Sequence, residues 1–92
     1  MAQIRIELPE ALQPLAGDTP TVAAEGATVG EALGALRPRH ELLVNRVLHR
    51  GGGMRPHVNL YLNERDLRAA QGLDTPLAEG DVLLVVASVS GG

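Results

Sequence analysis

The sequence predicts a single α+β domain in which one main helix packs on one face of a mixed sheet. Three observations carry that expectation: strand-period alternation opens the chain, a capped amphipathic helix pattern follows, and an unbroken apolar run lies near the end. The 92 residues suffice for one modest core and leave no room for a second. One domain is therefore expected over 1–92, with 88–92 as a flexible, extended tail.

Ile4, Ile6 and Leu8 alternate with Gln3, Arg5 and Glu7, the period of a half-buried strand, and Pro9 ends it because proline cannot donate to a ladder. The segment from Pro9 to Pro20 reads as a turn or short helix anchored by Leu12 and Leu15. Thr21 to Glu25 is a second short strand with Val22 and Ala24 on one face, so the chain opens with a hairpin. In "TVGEALGAL", Thr28 caps a helix and Glu31 reaches back to complete a capping box, placing Val29, Leu33 and Leu36 on one face with Ala32 beside them. Gly30 and Gly34 lower helix propensity, and close approach of the helix to the sheet is their expected compensation. Pro38 stops that helix near Leu36, and "HELLVNRVL" predicts a second short helical segment with Leu42, Leu43 and Val47 turned inward.

Gly51 to Gly53 mark a loop. With no strand feeding it and no G-K-[ST] after it, the triple glycine is read as a connection and not as a phosphate cradle. "HVNLYLN" is the third strand, with Val58, Leu60 and Leu62 on one face, and "NERD" turns the chain. After Asp81, Val82 to Ala87 form a continuous apolar strand of the kind found at a sheet centre. Placing that strand parallel to the first, in the middle of the sheet, gives the β-grasp arrangement.

Composition narrows the function classes. Cys, Phe and Trp are absent and Tyr61 is the one aromatic, so no disulfide, thiolate nucleophile or cysteine metal site is available. The opening "MAQIRIEL" alternates where a secretory signal would be continuously apolar, and no membrane-length run follows, so a soluble, cytoplasmic protein without membrane partners is expected. All eight basic residues are arginine, and Arg37 to Arg55 holds five of them with one Glu, against three Arg and ten acids elsewhere. That acidic body with one basic segment is a poor general nucleic-acid binder, and the segment lacks the interleaved aromatics that stack on bases. His40, His49 and His57 match no zinc spacing, and no nucleophile elbow supports a Ser–His–Asp site, so neither a metal site nor catalysis within the chain is expected.

The sequence closes on Val89, Ser90, Gly91 and Gly92. At ordinary glycine usage of about 7 %, a closing pair arises by chance in roughly 0.5 % of chains, so a frayed end has a chemical competitor in which the terminal carboxylate is the reactive group. With "ATVGEAL", "VNLYLNERDLR" and "TPLAEGDVLLVVASVSGG", this ending resembles the ubiquitin-like sulfur carriers. That family includes the molybdopterin synthase small subunit, the thiazole-pathway carrier and the carriers that feed cysteine synthesis. The resemblance covers nearly the whole chain, and the Arg37 to Arg55 insert is similar to the branch with a long segment before the third strand.

The resemblance implies a protein cosubstrate in place of an enzyme, able to serve as the small subunit of a synthase complex. No cofactor is bound; a separate adenylating enzyme uses ATP and magnesium to activate Gly92, and a sulfur donor then yields a thiocarboxylate. That thiocarboxylate serves a sulfur-accepting synthase in cofactor (molybdopterin or thiazole) or cysteine biosynthesis. Gly91, Ser90 and Val89 would thread the enzyme's channel, glycine being free of the Cβ that narrows backbone choice. On the final strand the family pattern turns Leu83 and Val85 to the helix and leaves Leu84 and Val86 partly exposed, so Leu84, Val86 and Tyr61 form the expected docking patch. The alternative for that patch is a two-sided strand covered by the Arg-rich insert. The alternatives for function are a ubiquitin-like modifier conjugated through Gly92 and a binding module with an inert tail.

Overall fold

The computed structural model describes residues 1–49 and 51–87. Strand β1 (Ala2–Glu7) buries Ile4 and Ile6 as its alternation requires and pairs antiparallel with β2 (Thr21–Gly26), from Ala2 opposite Gly26 to Glu7 opposite Thr21. The connection between them is a 3-10 helix over Glu10–Ala16 that buries Leu12 and Ala16 and leaves Leu15 at the margin of the core. Gly17 and Asp18, with φ of 76° and 62°, then turn the chain back.

Helix α1 (Val29–Leu36) buries Val29, Ala32, Leu33 and Leu36, the stripe read from the sequence, and ends two residues before Pro38. The Glu31 N–H donates to Thr28 Oγ1 at 3.2 Å, but the reciprocal bond is displaced by one residue: Glu31 Oε1 accepts from the Ala27 N–H at 3.0 Å. The helix entry is also tied to the far end of the chain, since Leu77 N–H donates to Ala27 O at 3.0 Å and Val29 N–H to Thr75 O at 3.1 Å. The glycines of α1 do not bring it onto the sheet. A Cβ at Gly30 would lie 3.3 Å from the carbonyl oxygen of Leu73, in the 3-10 turn Gly72–Asp74, and one at Gly34 would meet nothing within 4 Å.

Helix α2 (Glu41–Val47) corrects the expected inward set. Leu43, Val44 and Val47 are buried while Leu42 is 66 % exposed. At about 100° per residue, positions 43, 44 and 47 share one face and 42 falls nearly opposite it. The glycine loop that follows is closed by a bridge between Leu48 and Met54, and His49 N–H donates to Gly53 O at 2.9 Å. Two of its amides are satisfied internally: Gly51 N–H donates to His49 Nδ1 at 3.0 Å and Gly52 N–H to His49 O at 2.9 Å. The loop amides therefore bind the loop itself, which agrees with its reading as a connection.

Strand β3 (Val58–Leu62) buries Val58, Leu60 and Leu62, and Asn63 and Glu64, at φ of 50° and 74°, turn it into the two-residue strand β4 (Arg65–Asp66). Both turn residues lie in the left-handed region that tight hairpins require, and a two-residue strand is too short to leave a period in the sequence. Strand β5 (Val82–Ala87) completes the sheet in the order β2-β1-β5-β3-β4, parallel to β1 and antiparallel to β3. A mixed five-stranded sheet with its last strand central and helices covering one face is the expected β-grasp fold. Its core is built from Ile, Leu, Val and Ala alone.

Two glycines test the packing with opposite signs. A Cβ at Gly26 would stand 2.6 Å from the backbone N of Ala32, which cannot swing aside, so Gly26→Ala is expected to destabilise the domain by about 1–3 kcal/mol. Gly34 has open space around it, so Gly34→Ala is expected to stabilise by up to about 1 kcal/mol. Urea unfolding of both variants checks the pair.

Candidate functional site

The two faces of β5 divide sharply. Leu83 and Val85 are 0 % and 1 % exposed beneath the helices, while Leu84 and Val86 are 39 % and 38 % exposed on the open side of the sheet. Pairing places Tyr61 of β3 and Glu7 of β1 opposite Leu84 on either side, and Asn59 opposite Val86. Leu84, Val86 and Tyr61 thus come together on one face. The Arg-rich insert does not cover them: α2 packs against α1 and the 3-10 helix Glu10–Ala16, in the layer over the sheet's other face.

Around Leu84 lies an open depression of about 580 Å³ lined by Arg5, Glu7, Tyr61, Asn63, Glu64, Val82 and Leu84. Its floor is apolar and its rim is charged. Arg5 and Glu7 form an ion pair at 3.5 Å on the rim, in an exposed setting where such pairs contribute about 0–1 kcal/mol. Sequence reading assigned these two residues only to the polar side of the first strand; that alternation was the signal that they flank Leu84, once β1 and β5 are neighbours.

Polar contacts brace both ends of β3, and at one of them they cross to β5. At one end Asn63 Nδ2 donates to Asp81 Oδ1 at 2.8 Å, Asn63 Oδ1 accepts from the Val82 N–H at 3.0 Å, and Asp81 Oδ2 accepts from the Ala78 N–H at 2.8 Å. At the other, Arg68 Nη2 donates to Val58 O at 3.0 Å and Nη1 to Asn59 Oδ1, beside the pairing of Val58 with Ala87. The result is a fixed platform with an apolar centre, suited to docking a protein surface.

Gly92, Gly91, Ser90 and Val89 lie outside the described residues, and β5 is the strand whose chain continues into them. Among the described residues no cluster of three His, Asp or Glu side chains is arranged to hold a metal ion, and no helix is long and apolar enough to cross a membrane.

Substitution on the two faces of β5 should separate docking from folding. Leu83→Asp and Val85→Asp each bury an unpaired charge and are expected to cost about 4 kcal/mol or more, a large share of a small domain's stability of about 5–15 kcal/mol. Leu84→Asp and Val86→Asp are expected to cost about 1 kcal/mol or less, with Glu7 across from Leu84 adding a small repulsion. Thermal melts of the four variants decide it; equal losses would mean that both faces are buried.

Comparison with known proteins identifies the family. The chain is 30 % identical over 91 residues to the sulfur carrier protein CysO of Mycobacterium tuberculosis, covering 97 % of this chain and 98 % of that protein. A chain in the crystal structure of the Amycolatopsis orientalis BexX/CysO complex superposes with a TM-score of 0.88 at 29 % identity, covering 97 % of this chain and 99 % of that one. The small archaeal modifier protein SAMP1 of Haloferax volcanii superposes with a TM-score of 0.81 at 33 % identity, covering 99 % and 100 %. With residues 6–92 matching the model of the ThiS family, the chain belongs to that family.

Proposed function

We propose that this protein is a sulfur carrier whose Gly92 carboxylate is adenylated by a separate activating enzyme and converted to a thiocarboxylate. The observation that carries the reading is the exposed pair Leu84 and Val86 on the central strand, whose chain leads into Gly91 and Gly92, in a chain related to CysO. The open sheet face docks the activating enzyme and, in turn, the synthase that accepts the sulfur.

A carboxylate is a poor electrophile. Attack of a Gly92 carboxylate oxygen on the α-phosphorus of magnesium-bound ATP releases pyrophosphate and forms an acyl adenylate. Sulfide then attacks the acyl carbon and AMP departs with one of the original carboxylate oxygens. Where the donor is an enzyme persulfide, the acyl disulfide first formed is reduced by a thiol. The ionised sulfur that remains is a nucleophile of the thiolate kind, so the terminal residue supplies what a chain without cysteine lacks. The acceptor synthase belongs to cofactor (molybdopterin or thiazole) or cysteine biosynthesis.

Resemblance to SAMP1 favours a second reading, conjugation of Gly92 to foreign lysines. Chains of this protein on itself through side chains are disfavoured on chemical grounds, because it has no lysine and guanidinium groups do not accept acyl groups.

Incubation with the activating enzyme, ATP, magnesium and sulfide is expected to replace one oxygen by sulfur in the intact mass. Deletion of Gly92 should abolish the change and leave the melting temperature unaltered. Equal thiolation of the truncated protein would overturn the proposal, and single conjugates on foreign lysines in place of thiocarboxylate would establish the modifier reading.

A further inference from the structure

A second exposed apolar side chain lies in the other layer of the molecule. Leu42 is 66 % exposed on a helix whose Leu43, Val44 and Val47 are buried. Arg46, one turn further on, shares its face and is exposed. Arg39, also exposed, lies three residues before Leu42 and donates from Nη2 to the Ala23 carbonyl on the outer edge of β2 at 3.3 Å. Two more guanidiniums converge on the same helix: Arg37 Nη1 donates to Asn45 Oδ1 at 2.7 Å, and Arg55 Nε donates to Asn45 O.

These cations have no carboxylate of their own. Among the described residues the one ion pair is Arg5 with Glu7, on the open sheet face; Arg37 and Arg55 meet at Asn45 and Arg39 bonds the Ala23 carbonyl, all neutral partners, and Arg46 is exposed on the same helix. Glu41 is the one acid between Arg37 and Arg55, and that segment carries a net charge of +4 within a chain of net −3. Arg37 and Arg55, brought to one residue without a counter-charge, repel one another, and the net positive segment favours an external anionic surface. Nucleic acid fits less well. The one Phe, Tyr or Trp side chain, Tyr61, lies on the opposite sheet face, so histidines supply the only aromatic rings near the arginines among the described residues, a weak platform for stacking bases.

We propose that α2 and its flanking turns form a second docking surface, for a partner protein that presents clustered carboxylates around an apolar recess receiving Leu42. The surface lies in the helical layer, so it and the open sheet face can be occupied together, and it stands independently of the chemistry at Gly92.

The test is an amide-shift titration of the full chain with three probes: a Glu-rich peptide bearing a central leucine, its Lys-rich counterpart and a uridine oligomer. The acidic peptide is expected to shift residues 39–49, with affinity that falls as salt is raised. Arg46→Glu is expected to weaken it about tenfold and Leu42→Ser to weaken it measurably, both with unaltered melting temperature. Shifts confined to the sheet face, absence of binding, unaltered binding by Arg46→Glu, or tighter binding of the uridine oligomer would each overturn the proposal.

Discussion

The parallel pairing of β1 with β5 is the constraint on which the rest of the molecule depends. It sets Ile6 beside Leu83 and Glu7 beside Leu84, and so decides which side chains of the final strand lie under the helices and which face solvent. A slip of one residue would exchange the two sets, turning Leu84 and Val86 inward and Leu83 and Val85 to water. Burial of Leu83, Val85, Ile4 and Ile6 in the common core penalises such a slip, since each buried aliphatic side chain contributes about 1.5–3 kcal/mol. A parallel neighbour also requires a long crossover, and the chain uses that crossover to carry both helices, β3 and β4.

Polar groups complete what burial begins. Asn63 and Asp81 join the end of β3 to the start of β5, and Arg68 joins the opposite end of β3 to its own following turn. Thr75, the one buried polar side chain among the described residues, donates from Oγ1 to Gly72 O at 2.7 Å and accepts from Gln71 N–H at 3.2 Å, which fixes the turn that bonds the entry of α1. No buried side-chain polar atom among the described residues lacks a partner. The platform around Leu84 is therefore braced by polar groups at both ends of β3, and tied to β5 at one of them.

Much of this was legible in the sequence because strands and a capped helix leave strong periods. The alternation of Ile4 and Ile6, the Thr28 cap and the continuous run from Val82 to Ala87 each describe an element that the structure contains, and the resemblance gave the exposure of Leu84 and Val86 its direction. What was misread depended on phase or on distant partners. Leu42, Leu43 and Val44 are three consecutive apolar residues in a seven-residue helix, too short to fix a helical phase, so the exposure of Leu42 had to be read from the fold. Gly30 was expected to let its helix approach the sheet, whereas its neighbour is Leu73, more than forty positions away in sequence. The strand β4 and the rim of Arg5 and Glu7 arise only once non-local pairing is known.

The open face of the sheet and the end of the chain are linked by β5, and the central claim is that the first delivers the second to an activating enzyme. The most direct measurement is pyrophosphate exchange by that enzyme as a function of carrier concentration, comparing the unaltered protein with Leu84→Asp. A docking role predicts that the variant, with its fold intact, needs about tenfold more carrier for half-maximal exchange while the maximal rate changes little. The same half-maximal concentration for both proteins would contradict it.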